Sequence, residues 1–377
     1  MRGTVAQRTK GSWTIRVDLP RDPVTGKRRQ KRLTITGPKK LAEQKLTELL
    51  RQLDTGISVD LSKATVQEYL ETWLRDVVAV RNRPRTIAGY TTIVHNHIVP
   101  ALGSVQLTKL QPAHVQRMEA ALLASGLSPN TVHHVHVALA KALKDAIRSK
   151  LVHHNVCQDV EPPSPGRYEV KVPDAQAIGR ILTLANATPY GAILHFSAFT
   201  GCRRGEAVAL RWENVDLERG IASIVETAQH LRGRGIVFLS TKSVAGRRGI
   251  ALDACTVDML RAHRGRQLLY RMELGAAYQD QGLVFPAPFG GPIHPSVITR
   301  NFKKLAREAG YPELRLHDLR HGHAAGLIRA GIYPKVVQER LGHASAAFTM
   351  QVYGHVAAGL QAEAAKAFAN FMAKSSS

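Results

Sequence analysis

The run Glu161-Pro162-Pro163-Ser164-Pro165-Gly166 constrains this chain more than any other segment. Each proline lacks a backbone N–H and holds φ near its helical value, so such a run suits neither a helix interior nor a central strand. It reads as a stiff linker. The residues on its N-terminal side must therefore bury a core of their own, separate from that of the C-terminal side. A length of 377 residues with 44% hydrophobic content is enough for two or three domains.

Before the linker the pattern changes once. Trp13 to Leu19 alternates, with Trp13, Ile15, Val17 and Leu19 on one side and Thr14, Arg16 and Asp18 on the other, as in a half-buried strand. A turn over Pro20–Gly26 and a basic strand over Lys27–Thr36 come next. Pro38–Asp54 has the spacing of an amphipathic helix, with Leu41, Leu46, Leu49, Leu50 and Leu53 on it. This small α+β unit fits a solvated charged hairpin or a strand face that enters a DNA groove. Residues 56–63 read as a second linker. Residues 64–155 read as all-helical, with starts at Thr65, Pro84, Pro112 and Ser128-Pro129 and a break at Pro100–Gly103. The fourth helix carries the core stripe Val132, Val135, Leu139, Leu143 and Ile147.

After the linker the chain reads as mixed and mainly helical. Helices are expected at about 174–187, 190–200, 204–211, 254–273, 295–309, 317–330, 334–341 and 356–373. Short strands at 221–226, 235–240 and 248–252 would form a small antiparallel sheet.

The charge points to a polyanion. Lys and Arg outnumber Asp and Glu by 52 to 29, a net charge of +23. The excess is spread along the chain: 14 basic against 6 acidic residues in 1–62, 11 against 5 in 63–155, and 27 against 18 in 156–377. A simple tethering tail would concentrate it at one end. No apolar run is long enough to span a bilayer, and no apolar signal core comes after the first charged residues. Cys157, Cys202 and Cys255 form no framework. These features predict a reduced, cytoplasmic protein with nucleic acid as partner and no membrane. Eight of the 17 histidines lie in 64–155, including His133, His134 and His136. Without Cys or Asp partners at metal spacing, they read as polar surface groups.

Five features of the last 200 residues carry chemistry. Thr200-Gly201-Cys202-Arg203-Arg204-Gly205-Glu206 lies between two helical stretches and puts Arg203 and Glu206 on one helical face. Lys242 sits in a turn between two strands, with Arg247 and Arg248 beyond it. His317-Asp318-Leu319-Arg320-His321 places His317 and Arg320 together at the start of a helix. Leu341-Gly342-His343 is the fourth feature, and Tyr353 comes ten residues after His343. The H-x-x-x-H spacing of His317 and His321 is also that of a zinc pair. However, Asp318 stands where a metalloprotease has Glu, Arg320 would repel a cation, and no third ligand lies at a fixed spacing beyond.

In this order and spacing the five features resemble the tyrosine recombinase, or phage integrase, family. The resemblance covers residues 64–370, including the run Thr86…Tyr90…Ile98-Val99-Pro100-Ala101-Leu102-Gly103. It implies three domains: an arm-type DNA-binding domain (1–62), a four-helix, SAM-like core-binding domain (63–160) and a catalytic domain (161–377) ending in a docking helix. It implies catalytic roles for Arg203, Lys242, His317, Arg320, His343 and the nucleophile Tyr353, with Glu206 supporting Arg203. Gly322 departs from the family pattern, which has Thr or Ser there. Basic residues expected to meet DNA are Arg16, Lys27, Arg28, Arg29, Lys31, Arg32, Arg83 and Arg85.

The residue types suit the reaction. Attack on a phosphodiester builds negative charge, which two guanidiniums can hold through paired hydrogen bonds, with His343 as a further donor. A phenol with pKa near ~10 needs activation; His317 can accept its proton, and Lys242 can protonate the leaving 5′ oxygen. The covalent product is a 3′-phosphotyrosyl link. No cofactor, metal or nucleotide is implied, and no phosphate-binding G-x-x-x-x-G-K-[ST] motif is present. The family clamps duplex DNA and works as a homotetramer through a Holliday junction, sometimes with an excisionase or DNA-bending protein. The stripe Val356, Leu360, Ala364, Phe368 and Phe371 would dock on a neighbouring protomer, or else pack on its own domain. A catalytically silent DNA-binding regulator and a type IB topoisomerase remain as alternatives.

Overall fold

The computed structural model describes residues 3–19, 29–54, 64–166, 171–231, 233–241, 246–343 and 345, together with 365, 366, 368 and 369. The chain divides into two compact units, residues 1–167 and 168–377. It is multidomain and mostly helical with small antiparallel sheets. Among the described residues no helix is long and apolar enough to cross a membrane.

The first unit opens with three antiparallel strands, β1 (Gly3–Thr9), β2 (Ser12–Leu19) and β3 (Arg29–Thr36), in the order β1-β2-β3. Helix α1 (Lys39–Asp54) covers one face. Strand β1 was not expected, because Gly3, Thr4 and Ala6 give it little apolar alternation. Ile15 and Val17 are fully buried with Ala42 and Leu49, and Val5, Trp13, Leu33 and Ile35 pack around them. The period-2 rule then sends Thr14, Arg16, Arg32, Thr34 and Thr36 to the opposite face.

Helices α2 (Val66–Trp73) and α3 (Ala79–Arg81) flank a wide π turn at Leu74–Val78. Helices α4 (Pro84–Ile93) and α5 (Val99–Leu102) flank a second at Val94–Ile98. Helices α6 (Pro112–Ala124) and α7 (Pro129–Arg148) complete the unit. Thr65 opens α2 with a reciprocal capping box to Glu68, worth about 1 kcal/mol. The Tyr69 hydroxyl donates to Ala142 O at 2.5 Å and Trp73 Nε1 to Asp145 at 3.0 Å, which ties α2 to α7. The expected break at Pro100–Gly103 falls at the end of that range: the helix runs through Pro100 to Leu102 and stops at Gly103. The preceding π turn changes the hydrogen-bond register, so the missing proline N–H falls where the ladder is already interrupted. The histidines are not all surface groups. His95 and His154 pair with Glu71 and Asp159 near the surface, whereas His136 is buried against Glu119 at 2.7 Å.

The second unit contains α8 (Ala175–Asn186), α9 (Gly191–Thr200), α10 (Arg204–Ala209), α11 (Ala254–Leu274), α12 (Pro295–Glu308), α13 (Asp318–Arg329) and α14 (Pro334–Leu341). Its strands are β4 (Val215–Asp216), β5 (Ile221–Ile224), β6 (Glu226–Leu231), β7 (Gly235–Ser240) and β8 (Arg248–Ala251). They form two sheets, β4-β5-β8 and β6-β7, rather than one. Strands β7 and β8 thus belong to different sheets. Side chains at Asp174 and Asp253 cap α8 and α11. One core, including Ile181, Leu194, Phe196, Val208, Ile224, Ile250, Leu260 and Phe302, gathers both sheets and the surrounding helices. The expected helix at 356–373 lies largely outside the described residues; positions 365, 366, 368 and 369 are helical.

Candidate active site

Helix α9 is apolar along its length and ends at Gly201, whose φ of +64° is the left-handed cap that glycine adopts without strain. That turn delivers Arg203 to the N-terminus of α10. The Arg203 N–H donates to Glu206 Oε2 and its Nη1 to Glu206 Oε1, both at 2.9 Å. Its Nη2 reaches the Gly342 carbonyl at 3.1 Å. The Arg203 side chain is 44% exposed, while Glu206 is 4% exposed. The acid is therefore a buried anchor and the guanidinium an open surface group.

Glu206 holds a second arginine. Arg248 Nη2 donates to Glu206 Oε2 at 2.9 Å. Burial opposes the Glu206 charge, but hydrogen bonds from Arg248 and the Arg203 backbone, with both cationic charges, keep its pKa below the ordinary carboxylate value.

His317 is the residue that caps α13, and Arg320 lies one turn in. Asp318, fully buried, takes the Arg315 backbone N–H at 2.8 Å and the Arg315 guanidinium at 2.9 Å, which fixes the start of the helix. Arg320 is 3% exposed and donates from Nη1 to Gly201 O and from Nη2 to Leu341 O, each at 2.7 Å. Helix α14 ends at Gly342, again left-handed at φ +66°. His343 is buried just beyond; its N–H donates to Gln338 O, and Gln338 Nε2 donates back to His343 O at 2.8 Å.

Arg203, Glu206, His317, Arg320 and His343 thus come from α9–α10, α13 and the end of α14, and the bonds of Arg203 to Gly342 O and of Arg320 to Gly201 O and Leu341 O tie these elements together. Burial, then the charges of Arg320, Arg203 and Arg248, bring His343 down to about 3. Burial, then His321, Arg320 and Arg203, bring His317 down to about 4. Both imidazoles are neutral at pH 7, each with one ring nitrogen to donate and one to accept. Cys202 is buried and its thiol is pushed up to about 11, so it stays protonated at pH 7.

Lys242 and Tyr353 lie outside the described residues, as do Lys27 and Arg28. The His317 and His321 rings meet edge to face at 4.9 Å. Among the described residues no three His, Cys, Asp or Glu side chains group at metal-binding range. Gly322 has a packing reason: a Cβ there would lie 2.8 Å from Ile178 Cδ1 and 3.3 Å from Pro173 O. A side chain there would require the tip of Ile178 and the ring of Pro173 to shift. Of the basic residues expected to meet DNA, Arg16 and Arg32 face each other across β2 and β3 on the face away from the core, while Lys31 pairs with buried Val17 on the covered side. Arg83 and Arg85 flank Pro84 at the start of α4.

Residues 173–359 match the phage integrase family, and residues 65–123 match the phage integrase N-terminal SAM-like domain. An integrase of Streptomyces ambofaciens is 30% identical over 352 residues, covering 90% of this chain and 88% of that one. The chain belongs to the phage integrase family. It is a tyrosine-type site-specific recombinase. A tyrosine recombinase XerC-like protein of Caldanaerobacter subterraneus subsp. tengcongensis is 26% identical, covering 84% of this integrase and 86% of that relative. The fold resembles the Tn1549 transposon integrase in complex with circular intermediate DNA, with TM-score 0.65 and 16% identity over 77% of this chain and 95% of that one. It also resembles a lambda integrase dimer bound to a COC′ core site, with TM-score 0.58 and 16% identity over 93% and 94%.

Arg248 was not among the residues expected at the site. The available signal was strand alternation: Arg248 shares a strand face with buried Ile250, and an arginine on a core face must have an internal partner.

Proposed function

We propose that this integrase cuts and rejoins duplex DNA through Tyr353. The Tyr353 oxygen attacks the phosphorus, the bond to the 5′ oxygen breaks, and a 3′-phosphotyrosyl link forms. Lys242 protonates the leaving oxygen. His317, its ring neutral at pH 7, takes the phenol proton. Arg203 holds a non-bridging oxygen from the open side, Arg320 supplies fixed positive charge from below, and His343 donates a further hydrogen bond. Donors aimed at developing charge are worth roughly 10²–10³ each in rate. The link conserves the phosphodiester, so a 5′-hydroxyl of another strand reverses the step without ATP.

The observation that carries this reading is the anchoring of Arg203 and Arg320 on the adjacent carbonyls of Gly342 and Leu341, directly before His343. Two cations held beside a neutral imidazole form a receptor for a phosphate. In this reading 1–62 is the arm-binding domain, 63–160 a four-helix core-binding domain and 161–377 the catalytic domain. The outer face of β1–β3 supports the first assignment: Arg16 opposite Arg32 is a like-charge pair that an anion would relieve. The partners are double-stranded attachment sites, three further copies of this chain, and an excisionase or DNA-bending protein. The same fold has been seen as a lambda integrase tetramer bound to a Holliday junction. The product is integration or excision of a phage or mobile element.

A duplex carrying a nick beside the cleavage point tests the chemistry, because loss of the short 5′-terminated strand traps the covalent adduct. Wild type should accumulate it and Tyr353→Phe should not. A wild type that binds but never forms adduct would favour a silent regulator. Relaxation of supercoiled DNA without attachment sites would favour a topoisomerase.

A further inference from the structure

The C-terminal turn of α14 holds three successive carbonyls, and each receives a different arginine. Arg340 O accepts Arg248 Nε at 2.6 Å, Leu341 O accepts Arg320 Nη2 at 2.7 Å, and Gly342 O accepts Arg203 Nη2 at 3.1 Å. The last carbonyls of a helix lack intrahelical partners and lie at the negative end of its dipole, so guanidiniums are favoured there. Two of these arginines belong to the proposed catalytic set. Arg248 does not.

Arg248 is not placed to meet a phosphate. Its side chain is 6% exposed, against 44% for Arg203. Its guanidinium is spent internally, on Glu206 Oε2 at 2.9 Å, Arg340 O at 2.6 Å and Gly246 O at 3.3 Å. Those bonds join strand β8 to two things at once. One is the carboxylate that aims Arg203. The other is the turn that leads into His343. A planar fork can satisfy three acceptors in different directions from one fixed position, whereas a lysine ammonium on a flexible stem does not define such a plane.

We propose that Arg248 is a positioning residue for strand cleavage. It fixes the Glu206 carboxylate and the 340–343 turn in one register, and so sets both the aim of Arg203 and the place of His343. The proposal rests on the catalytic set described above. Its consequence is kinetic: a displacement of about 1 Å in a group that holds the reacting centre costs on the order of 10² in rate.

The test uses the full-length protein and the nicked duplex at saturating concentration, so that single-turnover adduct formation reads the chemical step. Arg248→Lys keeps the charge and loses the fork. It should fold, bind DNA within about twofold of wild type, and form adduct roughly 10²-fold more slowly. A defect confined to stability would instead lower the unfolding temperature and leave the rate of the folded fraction at the wild-type value, which overturns the proposal. If Arg248 acts through Glu206, Arg248→Lys and Glu206→Gln should together cost less than the product of their separate effects; fully multiplicative losses overturn it. Should Arg248→Lys fail to fold, the double variant Arg248→Gln/Glu206→Gln removes both buried charges together, and a wild-type rate in it overturns the proposal. Arg247→Gln, at the exposed neighbouring position, should leave the rate unchanged; an equal loss there also overturns it. Tyr353→Phe separates the two levels. Adduct in that variant sinks the catalytic reading itself. Its absence, together with a wild-type rate for Arg248→Lys, sinks the role of Arg248 alone.

Discussion

Arg320 donates from Nη1 to the Gly201 carbonyl at 2.7 Å, across 119 residues of sequence. That bond joins the helix carrying His317 to the turn that delivers Arg203, so the geometry of the two arginines is set together. It depends on glycine. Gly201 is left-handed, and a Cβ there would lie 2.6 Å from Leu341 Cδ2 and 2.8 Å from His323 Cδ2.

Gly201→Ala should therefore destabilise the second unit. Left-handed backbone costs a side chain about 1–2 kcal/mol, and relief of the contacts with Leu341 and His323 adds to it. A total loss of about 2–3 kcal/mol is expected in urea unfolding, with a fall in adduct yield because Arg320 shifts with its acceptor. An alanine variant of unchanged stability and rate would show that this turn does not govern the site.

The site histidines make the fold sensitive to acid. Folding lowers His317 to about 4, His323 to about 4 and His343 to about 3, through burial first and then through neighbouring arginines, with His321 ahead of them at His317. Unfolded imidazoles titrate near ~6.5. Between these values the unfolded chain binds more protons than the folded one. Stability contributed by the neutral rings is thus complete above pH ~6.5 and declines as pH falls toward 3–4. The urea midpoint should drop steadily from pH 7 to pH 5. A midpoint flat over that interval would contradict the depressed values.

Lys242 is expected to act on the leaving group alone. Lys242→Ala should slow cleavage of ordinary DNA by roughly 10²–10⁴, the range for general acid catalysis. Sulfur at the 5′ bridging position leaves without protonation, so such a substrate should restore most of the rate to Lys242→Ala but none to Tyr353→Phe. Absence of rescue would assign Lys242 to phosphate binding.

The outer face of the N-terminal sheet should bind phosphates additively. Arg16→Ala and Arg32→Ala should each weaken binding of arm-site DNA and reduce the slope of log affinity against log salt by about 1. The exposed positions Glu43 and Glu48 on α1 provide controls, and equal effects there would remove the case for this face.

Much of the fold was legible because local chemistry decided it. Thr65, Pro84, Pro112, Ser128 and Pro334 mark helix starts where a side-chain acceptor or a missing N–H suits the first turn. Alternation about Ile15 and Val17 placed a strand and its buried face. The break expected over Pro100–Gly103 came at its far end, since the π turn upstream lets the helix run on through the proline. The single small sheet expected from the three strands is instead two, because pairing partners are chosen across the whole unit: β7 joins β6 while β8 joins β5.

The sequence by itself determined the chemical identity of the site: the residue types, their order, and the excess of positive charge that calls for a polyanion. Those come from composition and spacing, which need no third dimension. Only the tertiary structure decided the environment of each group. Arg203 is open while Arg320 is buried, His343 is neutral while cations surround it, and Arg248 reaches the end of α14 from β8. The physical reason is that exposure, pKa and hydrogen-bond partners arise from contacts between segments far apart in the chain. The end of α14 shows this most directly, since its three carbonyls collect arginines from α10, α13 and β8 that no local pattern brings together.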